Sequence, residues 1–373
     1  MAKKKVDKEK EDTKTTEKDK KIPEKNKKIP EKDKKATEKD KTNVLGVVEK
    51  AIEKKYGKGI ISILGEHEDL QIDSISTGCL ALDAALGIGG FARGRVYEVY
   101  GPNSSGKSTL ALSVVMQALI RGLTILYIDA EHALDPKLVR NMGKLIGVNP
   151  DKIKLVQAYT GDDNLQIAEE LIKTGEIDVV VIDSVSSLLP QAVADKEIGD
   201  NHIGQLARLM SKACTKLTPI VNRTNTLLIF INQVRIDIGK YGDPQVPTGG
   251  MSIPFYATGR IKVQGGESKS SRILDSEGVV IGHESTFLVV KNKLSAPWRS
   301  AKIDLIYGQG YNFFSEVANL AVDLGFIEQS GSWFEFGDTR IQGKNNLVDH
   351  FTKDIEVYKD MREKIKIALG LNK

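Results

Sequence analysis

The sequence predicts an α/β fold: a mixed, mainly parallel central sheet, a short N-terminal helix–strand segment before it, and a small α/β C-terminal domain after it. Three observations predict this. Between about residues 72 and 308, short continuously apolar runs alternate with amphipathic helical stretches, the pattern of a parallel sheet covered on both faces. A G-x-x-x-x-G-K-[ST] motif joins one such run to the helix that follows it. Near residues 308–310 the composition shifts, and helix, hairpin and helix patterns follow in turn.

The apolar runs are 96–100, 124–128, 154–156, 179–182 and 227–231. Helical spacing runs through 108–121, 136–146, 164–173 and 204–221. Three further strand patterns, 260–263, 286–291 and 303–307, have no helix between them, so that side of the sheet is expected to be antiparallel. The last segment reads as a helix at 314–324, a hairpin at 326–341 and a charged helix at 355–369. The expected divisions are a tail at 1–42, an N-terminal segment at 43–71, a core at 72–312 and a C-terminal domain at 313–373.

The tail carries four seven-residue units, KTTEKDK, KIPEKNK, KIPEKDK and KATEKDK, across residues 14–41. Each offers at most one apolar position, where a coiled-coil seam needs two, and Pro23 and Pro30 oppose a continuous helix. Such a segment buries too little surface to offset its ordering entropy and is expected to be disordered. It reads either as a solvated tail or as a weak polycationic arm. Of the chain's 54 basic and 50 acidic residues, 17 and 11 lie in 1–42. The body is therefore near neutral, and bulk charge gives no argument for nucleic-acid binding. From Asn43, Val44, Val47, Val48, Ala51 and Ile52 recur at helical spacing until Gly57 and Gly59.

The two cysteines, Cys79 and Cys214, are far apart and in no metal-ligand spacing, which argues for small buried residues and a reducing cytoplasm. No apolar run approaches the about 18 residues of a membrane span. The lysine-rich start has no apolar h-region and no arginine, so neither a secretory nor a mitochondrial leader is expected.

The motif reads Gly101, Pro102, Asn103, Ser104, Ser105, Gly106, Lys107, Ser108, with Thr109 following. Its glycines let backbone N–H groups turn inward around phosphates, and the helix that starts near Lys107 aims its positive dipole end at the same anions. Lys107 is expected to reach the β- and γ-phosphates of ATP, and the Ser108 hydroxyl to coordinate Mg²⁺. Asp183 ends the strongest apolar run and reads as the second Mg²⁺ ligand, or as a helix cap. Glu131, after the 124–128 run, reads as the base for an attacking water, or as a solvated loop acid. Asp135 before Pro136 reads as an N-cap.

Together with 57–59, 75–78, 128–136 (IDAEHALDP), 181–190 (VIDSVSSLLP), 230–235 (FINQVR) and Lys291-Asn292-Lys293 with Ala296-Pro297, these residues resemble the bacterial RecA recombinase family from about Asn43 to Leu369. The resemblance implies a RecA-like P-loop core, with 43–71 as an oligomerisation segment. It implies a DNA-dependent ATPase that forms helical filaments on single-stranded DNA and exchanges strands with a homologous double-stranded partner. It also implies cytoplasmic action in DNA repair, with recombination mediators and a LexA-type repressor of the SOS response as partners. Glu131 becomes the water-activating carboxylate, Asp183 the Walker-B acid, and Gln233 the γ-phosphate sensor. Asp135 and Tyr307 become nucleotide contacts. Lys291 and Lys293 reach the ATP of a neighbouring subunit, and Phe255 sits at the subunit contact. Two DNA loops follow: 194–203 with Ile203 and Arg208 just beyond, and 234–251 with Arg235, Ile238, Tyr241, Gly249 and Gly250.

The chain departs from that pattern at Asn103, Leu138, Asp237, Thr286 and Leu288, and it ends without an acidic run. A RadA-like ATPase would carry a four-cysteine module and a KNRFG-type segment, and neither is present. A hexameric helicase would lack these DNA loops. A small-molecule P-loop kinase would need an acceptor pocket and lid.

Overall fold

The computed structural model describes residues 31–57, 60, 61, 63, 72–197, 204–236, 245–266 and 268–371. It divides into two compact units, with the boundary between residues 70 and 71. The first contains helix α1 (Glu31–Tyr56), closed by Gly57 at φ 107°. This helix is longer than the sequence pattern implies. It begins directly after Pro30 and takes in residues 31–42, which composition assigns to the disordered tail. Proline is excluded from a helix interior but not from the position before its first turn, and 31–42 are rich in the helix formers Lys, Glu and Ala. Val44, Leu45, Val47 and Val48 of α1 are exposed.

The second unit opens with β1 (Ser74–Ile75) and β2 (Phe91–Ala92), paired antiparallel around α2 (Leu80–Leu86). The core then runs β3 (Val96–Gly101), α3 (Lys107–Ile120), β4 (Ile125–Asp129), α4 (Pro136–Ile146), β5 (Lys154–Val156), α5 (Gly161–Lys173) and β6 (Val179–Asp183). It continues through α6 (Gln191–Ala194), α7 (Gln205–Arg223), β7 (Leu227–Ile236), β8 (Gln245–Pro247), α8 (Ser252–Tyr256) and β9 (Gly259–Gly265). The far side is β10 (Arg272–Leu274), β11 (Val280–Asn292), β12 (Ser300–Ile306) and β13 (Gly310–Tyr311).

Strand order is β13-β12-β11-β9-β3-β7-β6-β4-β5. The six strands from β9 to β5 pair in parallel, and β9 through β13 pair antiparallel by way of β11 and β12. The mixed, mainly parallel sheet is therefore as the sequence predicts.

Alternation explains the wholly apolar runs. Val179 and Val181 of β6 join one core with Leu110 and Val114 of α3, while Val180 and Ile182 join the other with Leu165 of α5 and Leu217 of α7. Each such large side chain contributes on the order of 2 kcal/mol when fully buried.

The C-terminal module comprises α9 (Phe313–Asp323), β14 (Glu328–Ser330), β15 (Trp333–Phe336), β16 (Thr339–Gln342), α10 (Lys344–Lys353) and α11 (Ile355–Ala368). The expected hairpin at 326–341 is a three-stranded sheet. Its core contains Val317, Phe334, Leu347, Phe351 and Ile365, and Leu80 of α2 belongs to the same cluster. Glu316 of α9 is buried and accepts from Ala81 N and the Cys79 thiol, each at 2.9 Å, so it caps α2 from outside. Both cysteines are buried free thiols. Among the described residues no helix is long and apolar enough to cross a membrane.

Candidate functional site

Parallel strands deliver their carboxyl ends to one edge of the sheet, the place where open α/β sheets bind ligands. Gly101 ends β3 opposite Gln233 of β7, and Asp129 ends β4 opposite Asp183 of β6. The motif residues Pro102 to Gly106 form the loop that leads from β3 into α3. Gly106 is the N-cap of α3 at φ 102°, a conformation that disfavours any Cβ. The Ser285 hydroxyl of β11 donates to the Ser105 carbonyl (3.2 Å), and the Tyr311 hydroxyl of β13 donates to the Gly106 carbonyl (2.9 Å). Anchoring these carbonyls outward is the complement of turning N–H groups inward. Lys107 donates from Nζ to the Pro102 carbonyl at 2.6 Å. Burial lowers its pKa, with Asp183 and Glu131 opposing that shift. Asn103 stands exposed on the loop.

The acidic side of the site is more closely organised than the sequence suggests. Asp183 accepts a hydrogen bond from the Tyr127 hydroxyl at 2.7 Å and is also hydrogen-bonded by Ser108. Burial raises its pKa, and the Tyr127 and Ser108 hydrogen bonds pull the other way. A carboxylate beside a hydroxyl is a pair of hard oxygen donors, which suits Mg²⁺ completed by phosphate and water oxygens. Asp129 holds the following loop by accepting from Ala133 N (3.2 Å), Leu134 N (3.1 Å) and Gln157 Nε2 (2.9 Å). That loop carries Glu131, whose Oε1 accepts from Gln233 Nε2 at 2.6 Å and from the Ser184 hydroxyl.

Lys107, Ser108, Asp183, Glu131 and Gln233 are thus brought together. Tyr127, Asp129, Ser184, Ser285 and Tyr311 are supporting residues that the sequence reading misses. Strand-end position could have flagged Asp129. Nothing in one sequence points to Ser285 or Tyr311, which lie 180 and 205 positions beyond the loop residues they contact.

A cleft of about 320 Å³ opens beside the loop, lined by Ser104, Lys107, Ser108, Leu138, His283 and Tyr307 among others. Tyr307 and Leu138 therefore lie where a nucleotide base could rest. Asp135 caps α4, accepting from Lys137 N at 2.8 Å, so its structural reading holds.

Lys291, Lys293 and Phe255 form a separate group. Lys291 Nζ donates to the carbonyls of Pro254 (2.6 Å) and Phe255 (3.1 Å), and Lys293 N donates to the Thr258 carbonyl (2.9 Å). Burial lowers the Lys291 pKa, and Lys293 and Arg260 add repulsion. The Phe255 residue is 68% exposed.

Ile203, Ile238 and Tyr241, and the departure at Asp237, lie outside the described residues. The roots of both loops are described and adjoin one another. Arg208 is exposed in the first turn of α7, and Arg235 is exposed on β7 opposite Val246 of β8. Gly249 lies against Val185 and Met210, and Gly250 against Ala207. The second root is tied to the buried interior: Asn232 donates to Glu98 (3.0 Å) and to the Thr248 carbonyl (2.9 Å), and Thr248 N donates to the Gln233 carbonyl (3.2 Å).

Residues 43–312 match a family described as the RecA N-terminal domain, and residues 315–370 one described as the RecA C-terminal domain. The chain is 44% identical over 323 residues to Protein RecA of Desulforapulum autotrophicum, covering 86% of this chain and 90% of that one. It is 44% identical over 330 residues to Protein RecA of Listeria innocua (87% and 92% covered) and 42% identical over 330 residues to that of Lactobacillus johnsonii (88% and 89%). A crystal structure of the RadB recombinase is similar over 64% of this chain and 98% of its own, with a TM-score of 0.48 and 22% identity. On the matched domains and these relatives, the chain belongs to the RecA recombinase family of P-loop ATPases.

Proposed function

We propose that the protein is a DNA-dependent ATPase that assembles as a helical filament on single-stranded DNA. In this reading it pairs the bound strand with a homologous duplex and exchanges strands in recombinational repair in the cytoplasm. The observation that carries this reading is the hydrogen bond between Gln233 and Glu131 at the root of the second loop. It joins the residue suited to activate water to the strand that leads into a candidate DNA loop.

ATP is the substrate of the cleft. The loop amides and Lys107, released from the Pro102 carbonyl, bind the β- and γ-phosphates. Ser108 and Asp183 hold Mg²⁺, which supplies charge neutralisation at the transferring phosphoryl group. Glu131 orients the attacking water and takes its proton on a carboxylate oxygen as the water oxygen bonds to the γ-phosphorus and the bond to the β-phosphate oxygen breaks, giving ADP and phosphate. Gln233 exchanges its Glu131 contact for the γ-phosphate, and the shift passes along β7 to Thr248 and the loop. Arg208 and Arg235 bind DNA phosphates. The exposed Phe255 with Lys291 and Lys293, and the exposed apolar residues of α1, supply contacts between copies. The same filament is the form that a LexA-type repressor would meet.

The test is ATP hydrolysis with and without single-stranded DNA, together with imaging of the DNA-bound species. Stimulation and filaments are expected. Absence of both overturns the reading.

A further inference from the structure

Glu98 of β3 is fully buried, meets the root of the second candidate DNA loop through one intervening side chain, and has no part in the mechanism above. Its two oxygens have different partners. Oε2 accepts from Arg260 Nε of β9 at 2.6 Å, and the Arg260 guanidinium also lies over the Tyr100 ring, 4.6 Å from its centroid. Oε1 accepts from Asn232 Nδ2 of β7 at 3.0 Å. Strand register brings the group together. Arg260 is the Cα partner of Glu98, and Asn232 is that of Tyr100, two residues on and on the same face of the sheet.

The neighbours of the Asn232 amide decide which way it faces. A carboxylate paired with a guanidinium can only accept, so Nδ2 must face Glu98. The same nitrogen donates to the Thr248 carbonyl at 2.9 Å, and Oδ1 accepts from the Thr248 hydroxyl at 2.7 Å. Thr248 is thus clasped through its carbonyl and its hydroxyl, while its N–H donates to the Gln233 carbonyl at 3.2 Å. It stands between β8 and the Gly249–Gly250 contacts with α7.

We infer that Glu98 is a positioning residue for the response to DNA: by fixing the direction of the Asn232 amide it holds Thr248, and with it the returning end of the second loop, on the strand that carries Gln233. This rests on 234–251 being a DNA loop. Reversing one donor undoes the clasp. Glu98→Gln keeps the size of the side chain, but Arg260 offers donors only, so the introduced amide turns its oxygen to Arg260 and its NH₂ to Asn232. Asn232 must then present its own oxygen, and the Thr248 carbonyl faces an oxygen where it had a donor. Adding Asn232→Asp returns a carboxylate to the cluster and an acceptor to the introduced amide, yet it still sets an oxygen against the Thr248 carbonyl.

The experiment compares full-length wild type, Glu98→Gln and the double variant Glu98→Gln/Asn232→Asp. Amide hydrogen exchange without DNA or nucleotide should quicken over 245–250 in both variants, while 227–231 and 259–265 keep wild-type rates. ATP hydrolysis without DNA should keep its kcat and KM, whereas the single-stranded DNA concentration for half-maximal stimulation should rise about 2- to 10-fold in both, the worth of one hydrogen bond. Wild-type exchange over 245–250 in Glu98→Gln overturns the proposal. So does a DNA response that returns in the double variant, since neither variant offers the Thr248 carbonyl a donor. Quicker exchange throughout the chain, with DNA-free turnover falling alongside the DNA response, overturns it too and leaves Glu98 and Arg260 as a stabilising pair only. Quicker exchange confined to 245–250 with a wild-type DNA response would instead remove this loop from DNA binding, the reading beneath the proposal.

Discussion

Gln233 and Glu131 are joined by a 2.6 Å hydrogen bond between Nε2 and Oε1, which links β7 to the loop after β4. The Ser184 hydroxyl donates to the same oxygen, so Glu131 is held by two neighbours although its side chain faces solvent. Glu131→Gln keeps the size and most of the polarity of the side chain but cannot take a proton. Steady-state turnover should fall about 10²- to 10⁴-fold, while equilibrium ATP binding changes little. Full turnover in this variant would remove Glu131 from the role of base.

The partner residue makes a different prediction. Gln233→Ala removes the amide but leaves its backbone carbonyl accepting from Thr248 N. The loop root therefore stays tied to β7 while its link to Glu131 is lost. The ratio of ATP hydrolysis with and without single-stranded DNA should collapse toward one. Undiminished stimulation would sink the coupling role.

Tyr127 and Asp183 are both buried, and the tyrosine hydroxyl is one of the groups that holds the Asp183 pKa down against burial. Tyr127→Phe keeps the ring volume and removes only that donor, at a cost of about 1–3 kcal/mol. The sign follows directly. Losing a hydrogen bond to the charged form raises the Asp183 pKa further, so the carboxylate protonates at higher pH. The acidic limb of the ATPase pH profile should move to higher pH, and more Mg²⁺ should be needed for half-maximal rate. An unchanged acidic limb would show that Tyr127 does not tune Asp183.

Much of this arrangement is legible in the sequence because it is local. The Gly106-Lys107-Ser108 motif and the Val179–Asp183 run fix a loop and a strand end by their own chemistry. The parallel sheet is legible because both faces are buried, which leaves the strands uninterrupted by polar residues. What is not legible depends on distant partners. Ser285 and Tyr311 reach the loop only because β11 and β13 lie on its side of the sheet. The seven-residue α2 is too short for a helical period, and its cap comes from Glu316, 235 positions away from Ala81. The start of α1 at Glu31 escapes a composition argument because a Lys- and Glu-rich stretch is at once a solvated tail and a good helix former.

Asp83 of α2 accepts from the Ser76 hydroxyl (2.5 Å), Thr77 N (2.8 Å) and the Thr77 hydroxyl (2.7 Å). Burial nevertheless outweighs these donors and raises its pKa to about 7, with Glu316 adding repulsion. A carboxyl whose folded pKa exceeds its unfolded value of about 3.9 binds more protons in the native state between the two. Its contribution is therefore present at low pH and lost as pH rises toward about 7. Unfolding by denaturant at pH 5 and pH 8 should show wild type losing stability with rising pH. Asp83→Asn, neutral throughout, should show a shallower slope, with the buried Glu316 supplying what remains. Equal slopes would contradict the shift.

Gly250 joins the roots of the two candidate DNA loops. It sits at φ 75°, and a Cβ there would lie 2.9 Å from the Ala207 Cβ in the first turn of α7. Gly250→Ala therefore meets both a left-handed backbone, at roughly 1–2 kcal/mol, and an overlap relieved only by moving one root from the other. Arg208 follows Ala207 directly, so the displacement reaches a candidate phosphate ligand. Single-stranded DNA affinity should fall by roughly tenfold for that cost, with nucleotide affinity unchanged because the phosphate loop is untouched. Arg235→Ala should act differently. It removes one cation, so the slope of log affinity against log salt should drop by about one. Gly250→Ala moves cations without removing them and should keep the wild-type slope. Equal weakening of DNA and nucleotide binding in Gly250→Ala would indicate general destabilisation and remove Gly250 from the loop junction.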